Sequence, residues 1–147
     1  MKTSKILAAL WLLHLCLWPG LTAAEELSEY GNPYRWVNVG RVAVKAEVVQ
    51  SPQKVYLGLG YRPELPEGRG MLFIMPALEE QVFCMRGMRF PLDLLWIAHG
   101  RVAGLEKNVS PQFSGNLVSP QPVNYVLEAP GGFCDRYGIK VGDPVSW

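Results

Sequence analysis

The chain has 147 residues, with 14 lysines and arginines against 13 acids, a formal charge of +1 and two histidines. So even a balance excludes a partner held by bulk positive charge, whether nucleic acid or an anionic membrane surface. The length suits one domain with a single core, and there is no internal repeat or low-complexity tract.

In chain order, the first element is a secretory signal peptide over residues 1–24. Lys2 and Lys5 precede an apolar run from Ile6 to Trp18, interrupted only by His14, and then come Pro19-Gly20 and the small residues Thr22-Ala23-Ala24. A run of about 13 residues is too short to span a hydrocarbon layer that needs about 20. Cleavage is expected after Ala24. Cys16 lies inside the apolar run and lacks the small residues that precede a lipidated cysteine, so the mature protein is expected to be soluble, with no membrane span. Cleavage removes two lysines and no acid, which turns the charge of +1 into −1. The expected location is outside the inner membrane, in the periplasm or the medium.

Residues 25–40 mix acids with Gly31, Asn32, Pro33, Tyr30, Tyr34 and Trp36, a composition that suits an extended arm. From Arg41 to Val48, Val42, Val44, Ala46 and Val48 alternate with Arg41, Ala43, Lys45 and Glu47, which predicts a half-buried strand. Ser51-Pro52 reads as an N-cap and first helical position of a short helix ended by Gly58. The Pro- and Gly-containing segment 61–70 is a loop, followed by strands near 71–75, 82–86 and 92–98. Ala98-His99-Gly100 predicts a tight turn into a strand at 101–106. Residues 108–122, rich in Ser, Pro, Asn and Gln, form the longest irregular stretch. A strand at 124–129, a helical turn at 132–137 and a last strand from Val145 complete the series. About seven short strands and two short helices predict a mainly β fold, a single compact β-sandwich or barrel-like domain over residues 41–147.

Certain blocks recur in a fixed order: Gly58-Leu59 with Arg62, Gly70-Met71-Leu72-Phe73, Phe83 with Met85, Pro91-Leu92-Asp93, Val126-Leu127-Glu128, Gly132, and Gly138-Ile139-Lys140-Val141-Gly142-Asp143. Together they resemble the prokaryotic domain-of-unknown-function 192 family over about residues 41–147. The resemblance implies a compact, mainly β fold of sandwich type, often exported, with no assigned activity. Against that pattern, Cys84 stands where relatives carry Trp, Gly87-Met88 replace Asn-Thr, and Gly60 stands where relatives tend to have Met.

Candidate chemistry is sparse. Cys84 and Cys134 lie in a chain expected to be exported, where thiols tend to be oxidised, and a bridge would close a loop of about 50 residues, worth about 4 kcal/mol. The alternative makes Cys84 a small apolar strand residue and puts Cys134 on a helical turn elsewhere. Cys84, Met85 and Met88 have a ligand-like spacing for a soft metal such as Cu(I), or serve as core filler. His99 stands alone in a turn, with no zinc cluster or phosphate loop around it, and no cofactor is implied. Asp93 and Glu128 sit in apolar runs where an unpaired charge is costly, with Arg62 and Arg86 as natural partners. These four residues are the candidate ligand-binding set. Alternatively, contacts of Asp93 and Glu128 fix turns, as Asp143 does before Pro144. The leading expectation is an exported binding or accessory module for a small ligand or an envelope protein, meeting it through Arg62, Arg86, Asp93 and the 108–122 loop. One alternative is a copper or thiol-redox protein using Cys84, Met85 and Met88. The other is a hydrolase using Asp93 and Glu128, which requires their carboxyl groups to converge within about 10 Å.

Overall fold

A computed structural model describes residues 25–147; the expected signal peptide lies outside the described residues. Along the described chain run β1 (Tyr34–Val39), β2 (Val42–Val49), α1 (Pro52–Leu57), β3 (Arg69–Glu79), β4 (Val82–Phe83), β5 (Leu92–Ala98), β6 (Arg101–Val109), β7 (Leu117–Val118), β8 (Val123–Pro130), α2 (Phe133–Tyr137) and β9 (Val145–Ser146). The fold is mainly β. Seven strands form one sheet in the order β6-β5-β8-β3-β2-β1-β9, and β4 pairs with β7 in a small second sheet. All pairings are antiparallel except β2 with β3, whose crossover runs through α1 and the loop after it.

The large sheet curls into a half-barrel. Its two edges meet at one end, where Val102 N–H donates to the Asp143 carbonyl at 2.9 Å and Val145 N–H donates to the Gly100 carbonyl at 2.8 Å. The turn that brings β6 there is the expected hairpin. His99 and Gly100 take φ of 51° and 67°, the left-handed pair that matches the twist of the flanking strands.

Two apolar clusters line opposite faces of the central strands. One gathers Val37, Val39, Val44, Leu72, Leu95, Ile97 and Leu127 with Phe133 and Cys134 of α2. The other gathers Val49, Leu59, Met71, Phe73, Leu94, Trp96 and Val126 under the small sheet. Every residue of β5 is buried, which accounts for its near-continuous apolar run. Phe83 of β4 meets Phe73 and Trp96 edge-on, at ring-centroid distances of 5.0 and 5.6 Å. At about 1 kcal/mol per pair, these contacts pin the small sheet to the large one.

The strand expected near 82–86 is only two residues long, that expected near 71–75 runs on to Glu79, and two further segments differ from the sequence expectation. The stretch expected as an extended arm contributes β1, because Val37 and Val39 turn inward and are fully buried while Trp36 stays 60% exposed. That alternation spans too few residues to stand out among polar neighbours. Within 108–122, Leu117 and Val118 pair with β4, and Leu117 enters the second cluster. No helix among the described residues is long and apolar enough to cross a membrane.

Candidate functional site

Strand register places Glu47 of β2 opposite Met71 of β3, Met71 opposite Glu128 of β8, and Glu128 opposite Leu94 of β5. Directly opposed residues share a face, so two buried acids flank Met71 in one row across the sheet. Their environments differ sharply. The Glu47 carboxylate accepts from Arg62 Nη1 and Nη2, with Nη2 to Oε2 at 3.0 Å, and from Asn32 Nδ2 at 2.7 Å and Ser28 Oγ at 2.9 Å. Burial alone would push its pKa up, but the hydrogen bonds from Arg62, Asn32 and Ser28 and the Arg62 charge together outweigh burial and hold it below the ordinary carboxylate value. The Arg62 guanidinium also lies over the Tyr30 ring, 3.7 Å from its centroid.

Glu128 has none of this support. It is 6% exposed, and Oε2 is fully enclosed without a hydrogen-bond partner among the described residues. Burial pushes its pKa up to about 8, and the charge of Arg62, already paired with Glu47, opposes this only in part. At neutral pH Glu128 is therefore mostly a neutral acid, able to donate one hydrogen bond. Arg69 Nη1 and Trp96 Nε1 are also enclosed without partners, but neither residue borders the cavity described next.

Glu128 forms part of the wall of a cavity of about 560 Å³ that opens to solvent. Three segments build the rest. The first is α1 and the turn after it, with Val55, Tyr56, Leu57 and Leu59; the second is the end of β3, with Phe73, Met75 and Pro76; the third is β4 and the turn beyond, with Phe83, Cys84, Arg86 and Met88. The local sequence explains how α1 stands clear of the sheet. Ser51 Oγ accepts from Lys54 N–H, Pro52 starts the helix, and Gly58, at φ 50°, ends it after six residues, none of them buried. An Ala at Gly58 would bring its Cβ 3.4 Å from the Phe73 ring, besides the backbone strain at that φ. The Arg86 guanidinium lies over the Tyr56 ring, 4.2 Å from the centroid, joining α1 to the opposite rim. Arg86 forms no ion pair with any acid among the described residues.

Several expected groupings are corrected here. Asp93 and Glu128 do not converge. Asp93 is opposite Ala129, one position out of step with Glu128, so the two side chains leave opposite faces of the sheet. Asp93 instead accepts from Asn108 N–H at 2.6 Å, Gly132 N–H at 2.9 Å and Cys134 N–H at 2.6 Å, tying the end of β6 and the start of α2 to β5. The hydrolase pair therefore has no geometric basis. Neither Arg62 nor Arg86 pairs with Asp93 or Glu128, and Arg62 is spent on Glu47. Cys84 and Cys134 are free, Cys84 exposed at the cavity and Cys134 buried with α2 on the other face, so the sheet lies between the two sulfurs, against the bridge and in line with the alternative that places them apart. Burial, then the Asp93 charge, pushes the Cys134 thiol far up. Of the soft-metal set, Cys84 and Met88 border the cavity, but Met85 is 3% exposed and packs in the second cluster. No three His, Cys, Asp or Glu side chains gather as metal ligands among the described residues. The 108–122 loop does not reach the cavity. Sequence reasoning missed the aromatic and aliphatic walls, Tyr56, Phe73 and Phe83, which converge only through long-range pairing.

This constellation on a curled mainly β sheet defines a small β domain with an open, mostly apolar cavity that has a buried acid in its wall. The profile of the DUF192 family, described as an uncharacterized ACR, matches residues 35–147, and the chain belongs to that family. A protein of unknown function from Novosphingobium aromaticivorans DSM 12444 has a similar structure, with a TM-score of 0.81 at 31% identity over 86% of this chain and 94% of that one. A putative transcription regulator from Sinorhizobium meliloti 1021 is similar at a TM-score of 0.74 and 27% identity, over 78% of this chain and 94% of that one. No curated protein matches the chain.

Proposed function

We propose that this protein is an exported small-molecule-binding module whose ligand enters the Glu128 cavity with an apolar body and one polar group. The observation that carries this reading is the Glu128 carboxyl: buried, with Oε2 lacking a hydrogen-bond partner among the described residues, in a residue that borders an apolar cavity open to solvent. Leaving such a group unpaired costs about 1–3 kcal/mol, and a ligand that supplies the partner recovers it. An apolar enclosure with a few convergent polar groups and one strongly perturbed acid is the usual form of a small-molecule site. Export rests on the charged, apolar and small-residue order of residues 1–24.

The test is titration with N-phenyl-1-naphthylamine, a neutral apolar fluorophore, against the wild type and Met88→Trp, which fills the cavity from its rim. Saturable one-to-one binding that the variant loses while keeping its thermal melt supports the reading. Absence of saturable binding, or equal binding by both proteins, overturns it.

A further inference from the structure

The charges facing the cavity define the ligand more narrowly. Four titratable side chains border it: Tyr56 on α1, Cys84 and Arg86 on the turn after β4, and Glu128 on β8. β3 and β4 contribute only apolar residues to the lining, and β5 meets Glu128 through Leu94. Acids and bases nearby are turned elsewhere. Glu47 and Arg62 are paired with each other, and Lys54 of α1 donates to Asn32 and to the Tyr30 carbonyl. Glu106 of β6 shares the face but stands beyond Leu94 and does not border the cavity. With Glu128 protonated, Arg86 is the one formal charge on the lining, and no acid among the described residues neutralises it.

A cationic ligand would have to force Glu128 to ionise in an apolar wall while facing Arg86. An anion meets the site as it stands. We propose that the cavity selects a carboxylate carried on an apolar chain or ring, with the Glu128 carboxyl donating a hydrogen bond to it and Arg86 supplying the positive potential. This rests on the binding function proposed above and adds the ligand's class and charge. A proton on Glu128 is then part of the complex. Ionised Glu128 has no proton to give and repels the ligand, so affinity falls as pH rises through its titration.

The experiment is calorimetric titration of the full mature chain with octanoate, octanol and octylamine at about pH 6 and pH 9. Octanoate is ionised at both, since free carboxylates titrate near pH 4. Octanoate should bind tightest at pH 6 and about tenfold more weakly at pH 9, as expected for a required proton with a pKa of about 8. Glu128→Gln retains a donor but has no proton to lose, and should flatten the pH profile. Arg86→Gln should weaken octanoate about tenfold and leave octanol unchanged. Tighter binding of octylamine than octanoate, or octanoate affinity that does not fall with pH, overturns the carboxylate assignment while the cavity still stands as a binding site. Failure of all three ligands, together with failure of the neutral fluorophore, overturns both proposals.

Discussion

Replacing Glu128 by Gln keeps the side chain's shape and deletes a single titration. In the wild type the folded state holds the Glu128 proton up to about pH 8, whereas the unfolded chain releases it near the ordinary value of 4.5. Between those values the folded protein carries one extra proton, so stability falls as pH rises through this window and levels off above pH 8. Each pH unit is worth about 1.4 kcal/mol, so between about pH 5 and pH 8 the wild type loses about 4 kcal/mol that the variant keeps. For a domain of this size one kcal/mol moves Tm by about 4 °C, and the variant should gain about 15 °C on the wild type across that range. Paired melts by near-ultraviolet circular dichroism from pH 5 to 9 read this directly, because every other titrating group cancels in the difference. Parallel profiles would refute the assignment of a neutral, unpartnered Glu128 in the folded state.

The cysteines give a second test. Native protein should accept one iodoacetamide adduct, on Cys84, and a second only after denaturation, as read by intact mass; no native adduct would mean that the sulfurs are bridged. Asp93→Ala strips three backbone N–H groups of their acceptor and should make Cys134 reactive in the folded protein. Arg62→Met leaves Glu47 buried without its main partner and should cost about 3–5 kcal/mol, seen as a lower urea midpoint at unchanged slope; Glu47→Gln added to it should recover part of the loss. A loss under about 1 kcal/mol would show that Arg62 is not what holds Glu47.

Much of the fold was legible because its signals are local. The alternation from Val42 to Val48, the Ser51-Pro52 start and Gly58 stop of α1, and the His99-Gly100 turn each depend on a few adjacent residues. β1 and β7 depend on partners far away: β7 is two residues long and is a strand because Val82 and Phe83 pair with it and the Ser119 N–H that follows it donates to the Gln81 carbonyl. The site was half legible for the same reason. Glu128 stands out as an acid between Leu127 and Ala129, and Arg86 as one of the two cations expected to partner it. That Tyr56, Phe73 and Phe83 enclose them follows from pairings of β3 with β8 and β4 with β7, which no local pattern reports.

Asp93 and Glu128 show why the same sequence signal has opposite outcomes. Both are acids inside apolar strand runs, on neighbouring strands, one residue apart in register. The pleat sends Asp93 to the face where the end of β6 and the start of α2 present three backbone N–H groups, so its carboxylate is solvated by the chain itself. It sends Glu128 to the face covered by side chains of α1, β3 and β4, none of which donates to its Oε2. A shift of one residue in β8 would turn Glu128 to the other face of the sheet and take the acid out of the cavity wall. The fold holds the register that leaves Glu128 Oε2 without a partner, and that choice of face separates an acid solvated by the chain from the one proposed to meet a ligand.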